Sequence, residues 1–297
     1  MSGHGWIQII LYLGILLLLV KPLGGWMVYV FEGRLALRHH WAGSLERFLY
    51  RLGGIDSGRE MDWKEYAAHL LVFNALGIAA VYLLQRIQLW LPGNPEGLGS
   101  VATDLAFNTA VSFGTNTNWQ AYGGETTLSY ATQMLGLAVQ NFLSAATGLA
   151  VLLALIRGLR QKVHPGLGNF YVDLVRGTLF VFLPLSLVLS LFMVSQGVVQ
   201  TFSAYPEARA MDPAAMGGDI QNLAVGPAAS QIAIKQLGTN GGGFFNTNSA
   251  HPFENPTPLT NFVEMLAILL LPAALCHTYG VMVHDTRQGG ALLAAMT

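Results

Sequence analysis

The segment Leu237-Gly-Thr-Asn-Gly-Gly-Gly-Phe-Phe-Asn246 decides how the chain is interpreted. It lies between apolar segments that are long enough to cross a bilayer, although it is itself too short and too polar to do so. Its three consecutive glycines can adopt backbone angles that other residues avoid, which allows carbonyl groups to be directed toward an ion. The segment therefore predicts a cation filter built from the backbone.

A weaker copy of this segment, Gly114-Thr-Asn-Thr-Asn-Trp119, occurs earlier in the chain. The tripeptide Gly-Thr-Asn thus stands at residues 114–116 and again at 238–240. A single glycine-rich loop is more often an ordinary turn than an ion site. Two copies, each between apolar segments, favour a pair of filters over two unrelated turns.

The composition indicates a membrane protein. Charged residues make up 10% of the chain and hydrophobic residues 53%, against about 25% and about 45–50% in a soluble domain. The apolar residues are concentrated in blocks, which is typical of a polytopic membrane protein. The net charge of −1 predicts no nucleic-acid partner. The single cysteine, Cys276, excludes an intrachain disulfide.

Five apolar blocks have the length of about 20 residues that a transmembrane helix needs. They comprise residues 6–30, 66–90, 127–156, 172–199 and 260–283. Two shorter helix-like pieces, 105–113 and 228–237, directly precede the two Gly-Thr-Asn loops. At about ten residues, neither piece crosses roughly 30 Å of hydrocarbon, but each can dip in and return where protein covers its backbone.

We therefore expect an all-α polytopic membrane protein with about five transmembrane helices and two re-entrant pore half-helices with filter loops. The order helix, half-helix, filter, helix occurs twice, as an internal duplication. The predicted organisation has three parts. Residues 1–62 hold the first transmembrane helix and a basic cytoplasmic loop, residues 63–162 the first repeat, and residues 163–297 the second repeat.

Basic residues predict the orientation. With five alternating spans, most lysines and arginines fall on one side, which the positive-inside rule makes cytoplasmic. They are Lys21, Arg34, Arg38, Arg47, Arg51, Arg59, Lys64, Arg157, Arg160, Lys162, Arg176 and Arg287. The other side has only Arg86, Arg209 and Lys235. The N-terminus and both filter loops are therefore expected outside.

Backbone carbonyls are the candidate ligands, because they replace the hydration shell of a monovalent cation. The predicted ligands are the carbonyls of Thr115, Asn116, Thr117, Asn118, Thr239, Asn240, Gly241 and Gly242. The C-terminal end of each half-helix adds partial negative charge. Neither filter core contains a carboxylate, which favours K⁺ over Ca²⁺ or Mg²⁺. The amide side chains of Asn118, Gln120, Asn246 and Asn248 are expected to hold the loops or line the vestibule.

Other readings of the same features are weaker. The glycines at 241–243 do not form a phosphate cradle, because no Lys-Ser/Thr pair follows them. Asp173, Arg176 and Glu264 fall near the ends of predicted spans, where anchoring and function are both open.

Longer motifs resemble a known family. The segments are Gly114-Thr-Asn-Thr-Asn-Trp-Gln-Ala-Tyr-Gly-Gly-Glu125, Leu237 to Asn246, Asn248-Ser-Ala-His-Pro-Phe-Glu-Asn-Pro256, Gly5-Trp-Ile-Gln8 and Glu60-Met-Asp-Trp63. Together they resemble the potassium-binding A subunit of the bacterial Kdp potassium-transporting ATPase. The resemblance runs along the whole chain. It implies a channel-like fold of the Trk/Ktr/Kdp superfamily in the bacterial plasma (inner) membrane.

The resemblance also implies a function. A Kdp-type A subunit selects K⁺ from the outside and passes it through an intramembrane path to a P-type ATPase B subunit, which hydrolyses ATP. A C subunit and a small peptide subunit complete that complex, and membrane lipid surrounds it. K⁺ is then the transported ion, with no organic cofactor. By motif, Gln120 falls in the first filter and Gly241 in the second. Gly243 is also expected among the residues of the second filter.

One departure from the family is large. The family has four filter repeats around a central pore, whereas this chain has two and stops at Thr297. The expectation is a truncated or fragmentary product that carries the N-terminal half. Two alternatives to the pump subunit follow, namely a stand-alone passive monovalent-cation channel or porter, and an inactive membrane scaffold.

Overall fold

In the computed structural model, the five expected transmembrane helices are present. The structure describes residues 3–160, 166–209, 211 and 220–297, so Lys162 and the expected boundary between residues 162 and 163 lie outside it. The five helices, called spans 1 to 5, are Gly3–Phe31, Trp63–Trp90, Thr132–Arg160, Phe170–Ser195 and Pro258–Met282. The all-α polytopic fold class is thereby confirmed.

Shorter elements connect the spans. They are the helices Arg34–Arg38, His40–Leu52, Thr103–Gly114, Gly124–Thr127, Ala228–Leu237 and Thr286–Met296, the 3₁₀ turn Asn248–Ala250, and the antiparallel strands β1 (Glu207–Arg209) and β2 (Ile220–Asn222). Span 2 ends in a 3₁₀ turn, and spans 3 and 4 each contain a π-helical segment, Thr132–Ala138 and Gly177–Phe182. Span 3 begins five residues later than expected, because residues 124–127 form a separate helical turn.

Spans 1 and 5 pack closely through a small residue. A Cβ placed on Gly24 would lie 2.6 Å from the carbonyl oxygen of Ala274. The hydroxyl of Thr278 donates to the Gly24 carbonyl at 3.1 Å. Small residues allow such backbone approach between transmembrane helices. The first span is thereby fixed against the last.

Two half-helices carry the loops into this bundle. The first half-helix is Thr103–Gly114 and the second half-helix is Ala228–Leu237. At 1.5 Å per residue they are roughly 18 Å and 15 Å long, so neither spans the hydrocarbon. The second half-helix is enclosed almost completely, with nine of its ten residues buried. Burial in protein is the condition under which non-spanning backbone is stable at membrane depth.

Ion pairs stabilise the bundle where span 3 ends and span 4 begins. Arg157 on span 3 makes a two-point contact with the carboxylate of Asp173 on span 4, at 2.5 and 2.7 Å. The hydroxyl of Tyr66 on span 2 donates to the same carboxylate at 3.0 Å. Arg176, also on span 4, pairs with Glu46 at 3.1 Å. Asp173 and Arg176 therefore form ion pairs that join helices. Both pairs lie at the end of span 4 where that span begins.

Removing the Asp173 carboxylate should destabilise the bundle strongly. The Asp173 side chain is 1% exposed and that of Arg157 is 18% exposed, so Asp173→Ala leaves a mostly buried arginine without its carboxylate partner. Breaking a buried pair costs about 3–5 kcal/mol, and thermal unfolding of the purified chain in detergent would measure this.

Glu32→Ala is the matched control, because its partner Arg34 is 63% exposed. An exposed pair contributes about 0–1 kcal/mol. Equal losses for the two variants would contradict the anchoring role of Asp173.

Candidate cation filter

The first half-helix ends in a left-handed turn that opens the first loop. The N–H of Asn116 donates to the carbonyl of Phe113 at 3.4 Å, and that of Thr117 donates to the carbonyl of Ser112 at 3.0 Å. Asn116 itself has φ 63°. These are the two hydrogen bonds and the left-handed residue of the Schellman C-terminal motif. The chain consequently leaves the helix axis at once and begins the loop.

The second half-helix ends in the same motif. The N–H of Thr239 donates to the carbonyl of Gln236 at 3.2 Å, and the N–H of Asn240 donates to the carbonyl of Lys235 at 3.0 Å. Here the left-handed residue is Thr239, with φ 53°. A β-branched residue in this region is a genuine outlier, and such strain costs on the order of 1–3 kcal/mol and clusters at functional sites.

The two Gly-Thr-Asn copies are offset by one residue in the structure. The left-handed turn falls on the asparagine of the first copy, Asn116, but on the threonine of the second copy, Thr239. The first half-helix includes Gly114, whereas the second half-helix ends before Gly238. Equal tripeptides therefore occupy different positions relative to the helix end, which sequence alone does not reveal.

Positive φ recurs two residues further on in both loops. Asn118 has φ 50° and Gly241 has φ 104°, so left-handed residues occur at alternate positions, 116 and 118, then 239 and 241. Such alternation prevents either helix or strand and leaves the peptide groups of the loop unpaired by regular structure. The loops are unwound, as the filter hypothesis requires.

Most of the carbonyls that were predicted as ligands accept no hydrogen bond from the described residues. Among the described residues, no hydrogen bond is donated to the carbonyls of Thr115, Asn116, Thr117, Asn118, Thr239, Asn240 or Gly242. The eighth, that of Gly241, accepts from Nδ2 of Asn248. Asn118, Asn240 and Gly242 are buried, and buried carbonyls are normally paired. A concentration of unpaired ones beside two helix C-termini is a favourable environment for a cation.

Side chains connect the two loops directly. The Gln120 amide donates to the Gly243 carbonyl at 2.8 Å and accepts from the Gly243 N–H at 3.1 Å. Glu125 adds a second link by accepting from the Asn246 N–H at 2.8 Å. Gln120, Glu125 and Gly243 thus fasten the first loop to the second.

The asparagine side chains face the protein. Ser144 on span 3 donates to Oδ1 of Asn116 at 2.8 Å, and Nδ2 of Asn240 donates to the same Oδ1. Nδ2 of Asn118 donates to Asn141, also on span 3, at 2.6 Å. These side chains position the loops against span 3, which leaves the backbone carbonyls as the groups available to an ion.

Two glycines permit the close contact between the loops. A Cβ on Gly242 would lie 2.2 Å from the Asn118 carbonyl oxygen, and one on Gly124 would lie 2.0 Å from the Phe244 carbonyl oxygen. Both clashes involve backbone atoms, so neither is relieved by a rotamer change. The Gly241-Gly-Gly243 run therefore serves packing as well as backbone conformation.

A cavity of about 140 Å³ adjoins the filter loops. The lining residues from the loops are Asn116, Gly238 and Thr239. The other lining residues are apolar or glycine: Ala145, Gly148, Leu149, Phe182, Leu237, Leu271, Pro272 and Leu275. The space is large enough for several water molecules and lies between the loops and spans 3, 4 and 5.

The imidazole of His251 packs against the end of the second loop. The ring of His251 stacks on Phe245 with centroids 3.9 Å apart, and its Nδ1 accepts from the Phe253 N–H at 3.1 Å. Burial lowers the pKa of His251 from its ordinary value of 6.5. The imidazole is accordingly neutral at pH 7 and places no positive charge beside the loop.

Four polar residues of the site escaped the sequence analysis. Asn141 and Ser144 lie inside an apolar block, and their contacts to the loops require the tertiary structure. Lys235 was counted only as an outer basic residue, yet its side chain is 1% exposed and pairs with the fully buried Glu254. The available signal was the position of Lys235 among Ile232, Ile234 and Leu237, since an isolated charge in an apolar helix needs a buried partner.

The geometry defines a class: a polytopic membrane protein in which two short, non-spanning half-helices end at unwound loops that are hydrogen-bonded to each other. Comparison with known proteins gives the family. A model of the KdpA family, described as potassium-transporting ATPase A subunit, matches residues 10–297, and the chain belongs to this family.

Several curated relatives have the printed name potassium-transporting ATPase potassium-binding subunit. That of Methylococcus capsulatus is 57% identical over 321 residues, covering 100% of this chain and 54% of the relative. Those of Sorangium cellulosum and Herpetosiphon aurantiacus are 59% and 58% identical, each covering 100% of this chain and 52% of the relative. The chain spans about half the length of the curated relatives it matches.

The contact between the loops predicts that Gly242→Ala is destabilising. The added methyl group meets the Asn118 carbonyl and forces the backbone apart, at a cost of about 1–3 kcal/mol. Gly25→Ala in span 1 is the control, because a Cβ there meets nothing within 4 Å. The unfolding midpoint in detergent should fall for the first variant only, and an unchanged midpoint for Gly242→Ala would rule out the tight loop contact.

Proposed function

We propose that this chain binds K⁺ at the paired loops and supplies it to an ATP-driven K⁺ importer. The observation that carries the proposal is the set of carbonyls at residues 115–118, 239, 240 and 242, at the ends of two half-helices, which receive no hydrogen bond from the described residues. Carbonyl oxygens without a carboxylate suit a weakly hydrated monovalent cation. The family and the printed names of the relatives support K⁺ as that ion.

The proposal also covers ion entry and delivery. We assign Thr115, Asn116, Thr117, Asn118 and Gln120 to the first filter. The second filter comprises Thr239, Asn240, Gly241, Gly242 and Gly243. The filters face the outside of the bacterial inner membrane, in accordance with the distribution of basic residues. The adjoining cavity of about 140 Å³ is the first chamber of an intramembrane path.

The chemistry of ATP hydrolysis belongs to a partner in this proposal. The family description names a subunit of an ATPase, so the chain acts as the non-catalytic ion-binding part of a complex with a P-type B subunit, a C subunit and a small peptide. The predicted organisation into residues 1–62, 63–162 and 163–297 then corresponds to an anchor and two filter repeats. Uptake that persists without the ATP-hydrolysing subunit would favour a passive channel instead.

Gly241→Asp should relax the selectivity of the second filter. A carboxylate next to the Gly241 carbonyl introduces a strong oxygen ligand and strains a residue whose φ is 104°. In the full-length protein assembled with its ATPase partners, the preference for K⁺ over Rb⁺ or NH₄⁺ should fall about tenfold or more, as measured by competition in ⁸⁶Rb⁺ uptake.

Gly99→Asp is the matched control, since Gly99 is exposed and a Cβ there meets nothing within 4 Å. Unchanged selectivity in Gly241→Asp would contradict the filter assignment.

Gln120→Arg should reduce K⁺ uptake through the first filter. The guanidinium both removes the acceptor for the Gly243 N–H and places a fixed cation beside the carbonyls, where it repels K⁺. The uptake rate at limiting K⁺ should fall at least about tenfold. Gln221→Arg, on an exposed position of β2, adds the same charge away from the loops and should retain the normal rate. Similar rates in the two variants would exclude Gln120 from the ion path.

A further inference from the structure

A buried ion pair lies behind the second filter loop. We propose that Lys235 and Glu254 act as a positioning pair that sets the direction of the Gly241 carbonyl through the side chain of Asn248, and thereby the ion selectivity of the second filter. This inference rests on the proposed function, because it assigns a selectivity role to residues that touch the loop from the protein side.

The first step is the burial of the pair. The Lys235 side chain is 1% exposed and that of Glu254 is fully buried, and Nζ of Lys235 contacts Oε1 of Glu254. Nζ also lies 2.5 Å from Oδ1 of Asn248 and 3.3 Å from the hydroxyl of Ser249. An ammonium group is costly to bury unless it is paired and hydrogen-bonded, and here it has three oxygen partners.

The second step is the direction of the Asn248 amide. An ammonium group only donates hydrogen bonds, so the side-chain oxygen of Asn248 must face Lys235 and its NH₂ must face away. That NH₂ donates to the carbonyl oxygen of Gly241. Without the lysine, the two ends of the amide are nearly interchangeable. Lys235 consequently determines that the Gly241 carbonyl meets a donor.

The third step is the contact between the pair and the filter backbone. A Cβ on Gly243 would lie 2.9 Å from Oδ1 of Asn248, 3.0 Å from Nζ of Lys235 and 3.2 Å from Oε2 of Glu254. All three polar groups therefore lie close to Gly243 on the side where a side chain would stand, directly after the expected ligand Gly242. The pairing with Glu254 also offsets the lysine charge, which would otherwise repel a cation in the loop.

In the first filter, an uncharged residue occupies the position that corresponds to Lys235. The carbonyl of Lys235 accepts from the N–H of Asn240 at the end of the second half-helix. The carbonyl of Ser112 accepts from the N–H of Thr117 at the end of the first half-helix. The hydroxyl of Ser112 donates to the carbonyl of Trp119 at 3.2 Å. Equivalent positions thus support each loop, but only the second support is ionic. The two filters consequently differ in how firmly a carbonyl is oriented.

Asn248→Ala tests the link with the least disturbance, because the Lys235–Glu254 pair remains. Asn255→Ala is the matched control. Asn255 belongs to the same connection, and its side chain bonds Asn261 and Thr260, not the filter. A double variant, Lys235→Met with Glu254→Gln, removes both charges of the pair together. Gly241→Asp is the positive reference for an altered filter.

All variants are measured in the full-length protein assembled with its ATPase partners, in cells without other K⁺ uptake systems. The readouts are the K⁺/Rb⁺ preference in ⁸⁶Rb⁺ competition and the amount of the protein in the membrane. For Asn248→Ala and the double variant, the K⁺/Rb⁺ preference should fall about fivefold, the equivalent of one net hydrogen bond. Asn255→Ala should retain the normal preference.

The outcomes separate the positioning pair from the filter itself. A purely structural role would lower the amount of protein and the uptake of all ions in proportion, without changing the preference, and would overturn the proposal. The same conclusion follows if Gly241→Asp alters the preference and Asn248→Ala does not. If neither alters it, the filter assignment fails, and the positioning role fails with it.

Discussion

The structure depends on one constraint: a polypeptide that enters the hydrocarbon without crossing it must have its backbone groups enclosed by protein. The second half-helix meets this constraint with nine buried residues out of ten. Both half-helices satisfy their last carbonyls through C-terminal turns at Asn116 and Thr239. The carbonyls just beyond these turns are then left unpaired among the described contacts, and a cation is the partner that suits them.

The rigidity of the loops comes from side-chain amides. Gln120 makes a reciprocal pair with Gly243, and Asn116, Asn118 and Asn240 bond to span 3 or to each other. An amide both donates and accepts, so it can replace the backbone partner that an irregular loop lacks. Neutral amides provide these contacts without adding charge to the loops. The acidic residues beside the loops are Glu125, which accepts from a backbone N–H, and Glu254, which is paired with Lys235.

Buried charged side chains occur in pairs at both ends of the bundle. The Arg157–Asp173 and Arg176–Glu46 pairs join spans and helices at the basic side of the bundle, whereas the Lys235–Glu254 pair lies directly behind the second loop. In each case an opposite charge offsets the cost of burial. The same interaction thus stabilises the scaffold at one end and orients polar groups at the other.

The fold class, the five spans and the two half-helices are predictable from the amino-acid sequence, because apolar length and short interruptions depend on local composition. The sequence also located the loops, since Gly-Thr-Asn and Gly241-Gly-Gly243 are contiguous. The tertiary structure decided how the loops meet. The one-residue offset between the copies, the bonds from Asn141 and Ser144, and the pairing of Lys235 with Glu254 join residues that are far apart in the chain. Such contacts follow from packing, and no local pattern in the sequence specifies them.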